Sequence, residues 1–169
     1  MIKFGGILIA LKLQQIFAHR KDVRGQTTPT GLYRDDGKEE VKVQMFKEDI
    51  GIKHFIKHIN GELPALGLVP ITPPEKDDDE THYCKWGCLD IDEYNFDHKQ
   101  LIENINKLDL PMVVFRSKSG GAHVFLFCEE WISARVMRSK LKMIQKALGY
   151  QGCEIFPKQE FLNVDRGDT

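Results

Sequence analysis

Two aspartates one residue apart, Asp90 and Asp92, lie inside the apolar run WGCLDIDEY. On a β-strand, residues i and i+2 share a face, so both carboxylates would project to one side with Cα atoms roughly 6.5 Å apart. At an effective dielectric of about 20 they repel by roughly 2.5 kcal/mol. That is large against a domain stability of about 5–15 kcal/mol. A divalent metal, a basic partner or exposure to water must offset it. A third carboxylate, Glu154, opens the late apolar stretch EIFP. Three carboxylates suit hard, oxygen-liganded Mg²⁺ or Mn²⁺ better than zinc. Two such ions about 3.5–4 Å apart would activate an attacking hydroxyl and stabilise leaving phosphate oxygens.

The segment FRSKSGGAH carries the complementary charge. Gly120 and Gly121 let the backbone approach an anion closely, and successive amides can form a nest. Ser117 and Ser119 offer hydroxyls, Arg116 and Lys118 positive charge, and His123 a donor at the start of the next strand. Together they suit a triphosphate. A Gly-Gly hairpin turn with polar decoration explains the same letters, and a single histidine is commonly structural. Further along, Arg135, Arg138, Lys142 and Lys146 fall on one stripe of a helix. They could meet the phosphates of a nucleic acid, or they could be a solvated face.

These residues need elements to position them. KWGCLDID reads as a strand, Asp97–Leu108 as a helix, and MVVFRS and AHVFLFC as strands joined by the Gly-rich turn. Residues 132–148 form an amphipathic helix with Met137, Leu141, Ile144 and Leu148 inward, and CEIFP is a final short strand. The order β-α-β-β-α-β is the ferredoxin-like unit, the topology of RNA-recognition (RRM) domains. Its first and third strands lie side by side, so Asp90, Asp92 and His123 could face one cleft with Glu154. Before this unit, residues 7–18 have a loose helical pattern and 20–40 read as a loop or irregular hairpin. Asp49 caps a short helix that Gly61 ends, GLVPI is a brief strand, and the acidic run in PPEKDDDETH is a solvated loop. The expected fold class is therefore α+β, with an N-terminal α/β part over 1–80 and the RRM-like unit over 81–169.

Bulk composition sets limits. Lys and Arg number 24 against 25 Asp and Glu, so the whole chain has no polyanion-binding excess, but residues 116–158 carry eight Lys/Arg against three Glu. Cys84 and Cys88 beside His82 hint at zinc, yet no second pair follows at zinc-site spacing. Four reduced thiols in a cytoplasmic protein are the expectation. The apolar run Phe4–Leu11 is too short to span a membrane.

Taken in order, CLDID, SKSGGAH and CEIFPKQ resemble the three motifs of the archaeo-eukaryotic primase (AEP) superfamily of primase-polymerases. The detail is most similar to the primase domains of TOTE conflict systems and related phage primases. In those, an HLxG segment and a Gly-Pro-rich strand precede the acid pair, and an acid opens an FPxQ motif. Here KHINGELPALGLVPI supplies His58 and Gly61, and EIFPKQ follows later. The resemblance spans roughly His54 to Gln159. It implies an AEP catalytic core that synthesises nucleic acid on a single-stranded DNA template from nucleoside triphosphates, dNTP or NTP, during DNA replication. Two divalent ions, Mg²⁺ or Mn²⁺, would sit on Asp90, Asp92 and Glu154. Lys118, Ser119 and His123 would bind the triphosphate, with Lys158 as a further phosphate contact. A helicase domain or protein is an implied partner, and the cytoplasm of a bacterial or phage-infected cell the implied location.

The resemblance leaves choices open. Asp165, in NVDRGD, rivals Glu154 as the third acid, because some primase-polymerases place theirs in a D-x-R-G context. The chain stops at Asp168-Thr169 where the similar proteins continue with Gly-Asn and a Pro-containing strand, so it resembles a piece ending inside the domain. Two other functions use the same residues. A metal-dependent nuclease would need the same acids, and a noncatalytic RRM-like module would bind single strands through aromatic residues on its sheet.

Overall fold

The computed structural model describes residues 4–162 except 18, 19, 36, 38, 64, 75–80, 94 and 118. Lys118, Asp165 and most of the acidic loop expected at 73–82 thus lie outside the described residues. The chain divides into two compact units, Met1–Val69 and Pro70–Asp168. Both are mixed α and β, with antiparallel sheets, so the fold class is α+β.

In the first unit, helix α1 (Phe4–Ile16) packs on helix α2 (Ile52–Ile59). Ala10, Ile50 and Phe55 form the buried centre, with Leu13, Ile56 and Leu66 around them. Of the two readings for residues 20–40, loop or irregular hairpin, the hairpin is the one observed. Strand β1 (Arg24–Tyr33) pairs with β2 (Glu39–Phe46) in a long hairpin whose register shifts between Pro29 and Tyr33, and β3 (Gly67–Leu68) adds a third strand. The α2 N-cap is Gly51 rather than the expected Asp49. The Gly51 N–H donates to Nδ1 of His54 at 3.1 Å, and the His54 N–H donates to the Gly51 carbonyl at 3.0 Å, so the first turn satisfies these two donors within itself.

The second unit is the expected βαββαβ arrangement. Strands β4 (Tyr83–Ile91), β5 (Met112–Arg116), β6 (Ala122–Ser133) and β7 (Glu154–Phe156) form one sheet in the order β5-β6-β4-β7. Helix α3 (His98–Lys107) follows β4, and α4 (Ala134–Leu148) follows β6. Asp97, expected as the first residue of this helix, instead caps it by accepting from the Gln100 N–H at 2.9 Å. The α4 helix starts two residues later than the hydrophobic periodicity suggests. Ile132 and Ser133 belong to β6, and Ser133 serves as the cap.

Alternation along β4 separates two faces. Leu89 and Ile91 join Val124, Leu126, Met137 and Leu141 in the core on the helix side. Gly87 makes the close approach of α4 possible, because a Cβ there would meet Leu141 Cδ1 at 2.6 Å and Met137 Cγ at 2.8 Å. Asp90 points to the other face. No helix among the described residues is long and apolar enough to cross a membrane.

Candidate active site

Register brings the sequence motifs together. Asp90 is the direct cross-strand partner of His123 on β6 and of Glu154 on β7, while His123 is the partner of Phe115 on β5. Directly opposed residues of antiparallel strands share a face. The sheet therefore carries a single row, Phe115–His123–Asp90–Glu154, across its full width. Two motifs far apart in sequence meet on one strand because the first strand of a βαββαβ unit lies between the third and the fourth.

Each acid in this row faces a basic side chain. His123 Nε2 lies 3.3 Å from Asp90 Oδ1, and Lys158 Nζ lies 3.0 Å from Glu154. Both contacts are open to water, with 42% of the His123 side chain and 56% of the Lys158 side chain exposed. Asp92 departs from the expected strand geometry, since β4 ends at Ile91. Its carboxylate instead accepts a hydrogen bond from Ser119 Oγ at 3.1 Å, which ties the end of β4 to the Gly-rich turn. A cleft of about 410 Å³ opens beside Asp90, Asp92 and Glu154, and Tyr150 and Gly152 of the α4–β7 loop form its opposite wall.

The turn is held from three directions. The Ser117 N–H donates to Gly121 O at 2.9 Å, and the Ser117 and Ser119 hydroxyls bond each other at 2.9 Å. A Cβ on Gly121 would sit 2.0 Å from the Ile91 carbonyl oxygen, so only glycine lets the turn rest against the end of β4. His98 makes the third hold. A carbonyl only accepts, so its Nε2–H donates to Gly121 O, at 2.9 Å. The ring is braced edge-on by Phe96, with centroids 5.1 Å apart. His98 is a positioning residue that no motif exposes. It is an isolated histidine in the first turn of a helix, and its partner is a backbone atom 23 positions away.

The other candidates divide. On α4, Arg138 donates to the carbonyl of Pro157, and Arg135 pairs with Glu160 at 3.0 Å and lies over the Phe161 ring. Lys142 and Lys146 are exposed. Two members of the basic stripe thus brace the segment after β7, which leaves the stripe thinner than its spacing implies. Cys84 and Cys88 are buried as free thiols inside the sheet. Burial pushes the Cys84 thiol up to about 12 and that of Cys88 up as well.

Asp90, Asp92 and Glu154 are oxygen donors of the type that hard divalent cations take. Among the described residues, no three His, Cys, Asp or Glu side chains converge closely enough to hold a metal ion as they stand. The reason is visible in the contacts: Asp90 leans to His123, Glu154 to Lys158, and Asp92 to Ser119. All three are exposed or half-exposed contacts of modest strength, so the donor set fits a cation that displaces them.

The family model of the TOTE conflict system archaeo-eukaryotic primase domain matches residues 34–167. No curated protein matches the chain.

Proposed function

The chain belongs to the archaeo-eukaryotic primase domain family of TOTE conflict systems, a primase-like nucleotidyltransferase family, and on that premise we propose template-directed nucleotidyl transfer from nucleoside triphosphates. The observation that carries the reading is the row His123–Asp90–Glu154, with Ser119 bonded to Asp92 beside it. Carboxylates and candidate triphosphate-binding groups stand side by side on one short stretch of sheet and the turn beside it, as phosphoryl transfer requires.

Asp90, Asp92 and Glu154 would hold two divalent ions, Mg²⁺ or Mn²⁺. Bound there, such ions would supply activation of a hydroxyl nucleophile and stabilisation of the leaving phosphate. The remaining work belongs to the chain. His123 and Lys158 contact Asp90 and Glu154 before substrate arrives. With the carboxylates holding metal, His123 and Lys158 would be free to meet the triphosphate together with Ser119, and Lys118 would add a further phosphate contact. His98 and Gly121 keep the turn in place, so little entropy is lost when the phosphates dock. The partner is a single-stranded DNA template, with a helicase as a further candidate. Exposed Lys142 and Lys146 offer weak, salt-sensitive phosphate contacts.

The test is extension of a labelled primer on a DNA template with dNTP or NTP and Mg²⁺ or Mn²⁺. The expected result is extension that chelator abolishes. Degradation of the strand without added nucleotide would indicate a nuclease instead. Strand binding indifferent to chelator and nucleotide would indicate a noncatalytic module.

A further inference from the structure

The acid-bearing row has an unexplained end. Phe115 lies in it, directly opposite His123, at the edge of the sheet. Its ring is 42% exposed, next to Val113 on the same face at 46%. Strand β5 runs straight into the turn: Phe115 is followed by Arg116 and Ser117. The ring also stands on a braced aromatic base. Phe125 meets it edge-on at 5.3 Å and 89°. Phe127 stacks on Phe125 at 5.7 Å and 20°, and Trp86 meets Phe125 at 5.8 Å.

We infer that Phe115 is the base-binding platform of the site, stacking on the base of the nucleotide whose triphosphate lies at Ser119 and His123. The inference rests on the triphosphate reading of the turn and adds what holds the other end of the substrate. Neighbouring strands lie about 4.8 Å apart, so His123 stands about 5 Å and Asp90 about 10 Å from Phe115 across the sheet. That matches the reach of a nucleotide from base to phosphates. The polarity of the row matches too: an apolar ring at one end, carboxylates and cations at the other. Stacking on an aromatic ring tolerates every base, because each has a π face. A templated reaction needs that tolerance, since pairing with the template must choose the base. A rigid ring also loses little entropy on binding.

The experiment measures equilibrium binding, in Mn²⁺, of dATP, dCTP and inorganic tripolyphosphate to the wild-type chain and to F115A, F115L and F115Y. The inference predicts that F115A weakens both nucleotides about tenfold and leaves tripolyphosphate within twofold, a loss in the range of one base–aromatic stack. F115Y keeps wild-type affinity. F115L, which preserves apolar bulk on the strand without a π face, behaves like F115A. Equal losses for nucleotides and tripolyphosphate would overturn the inference, because Phe115 would then only support the turn. Unchanged nucleotide affinity in F115A would overturn it as well. So would a selective loss of single-stranded oligonucleotide binding, which would assign Phe115 to the template. Failure of wild type to bind tripolyphosphate while it binds nucleotides would instead refute the triphosphate reading itself.

Discussion

Each unit of the molecule holds carboxylates against cations, and the two arrangements are built for opposite ends. In the first unit Glu48 is held by Arg24, which also lies over the Phe46 ring at 4.3 Å, and by His54 at 3.5 Å. The side chains of those cations are only 10% and 7% exposed. In the second unit Asp90 and Glu154 face His123 and Lys158, which are 42% and 56% exposed. A buried guanidinium such as that of Arg24 must keep its partner, because losing it strands a charge in a poor solvent. Exposed cations exchange theirs for water or ligand at little cost. Burial of the cation, more than the presence of an ion pair, separates a structural clamp from a site.

Three perturbations would break or sharpen this contrast. The largest effect is expected from Gly121→Ala, which forces a Cβ into the Ile91 carbonyl. Moving backbone rather than a flexible side chain puts the cost at about 3 kcal/mol or above. Thermal unfolding should show a markedly lower Tm, and nucleotide binding should vanish with the displaced turn. A wild-type Tm would contradict the close approach.

Next comes a matched pair. Arg24→Ala should destabilise the chain by about 2 kcal/mol, since it removes both the Glu48 partner and a side chain packed on Phe46. Lys158→Ala should change stability by less than about 0.5 kcal/mol. It should nonetheless weaken nucleotide binding while Mn²⁺ binding stays equal or tightens, because a competing cation has left Glu154. Urea titration with parallel Mn²⁺ titration reads both. Similar stability losses in the two variants would erase the distinction.

The smallest effect is on acidification. The Arg24 guanidinium, then burial in the opposite sense, and then His54 leave the Glu48 carboxyl below its ordinary value. A depressed carboxyl adds stability that is fully present above the ordinary glutamate range and is lost as pH falls through the lowered folded value. Stability measured from pH 6 to pH 3 should therefore fall less steeply in Glu48→Gln than in wild type. Parallel curves would remove Glu48 as a contributor.

Much of the second unit was legible in the sequence because its signals are local and periodic. Leu89 and Ile91 alternate with Asp90, the Gly-Gly turn marks the hairpin, and the 3.6-residue spacing of Met137, Leu141, Ile144 and Leu148 marks α4. Given the topology, the adjacency of Asp90, His123 and Glu154 follows. What stayed hidden depends on contacts between distant atoms. His98 acts on a carbonyl brought near by folding, and Arg138 is drawn to Pro157 O rather than left on the stripe. Composition left the β1–β2 segment between loop and irregular hairpin: Gly25, Pro29 and Gly31 break up β1, while Val41, Val43 and Met45 on β2 face solvent rather than a core. Asp92 reads as a strand residue until the close approach of Gly121 at the end of β4 is seen.

The central claim is that the row on β4, β6 and β7 is a metal-dependent triphosphate site. The most direct test is the affinity of wild type and the D90A/D92A double variant for dATP, with Mn²⁺ and with chelator, each protein first shown to be folded by circular dichroism. The account predicts tight Mn²⁺-dependent binding in wild type and a loss of at least about a hundredfold in the folded variant. Equal affinity in the two proteins, or wild-type binding unchanged by chelator, would contradict it.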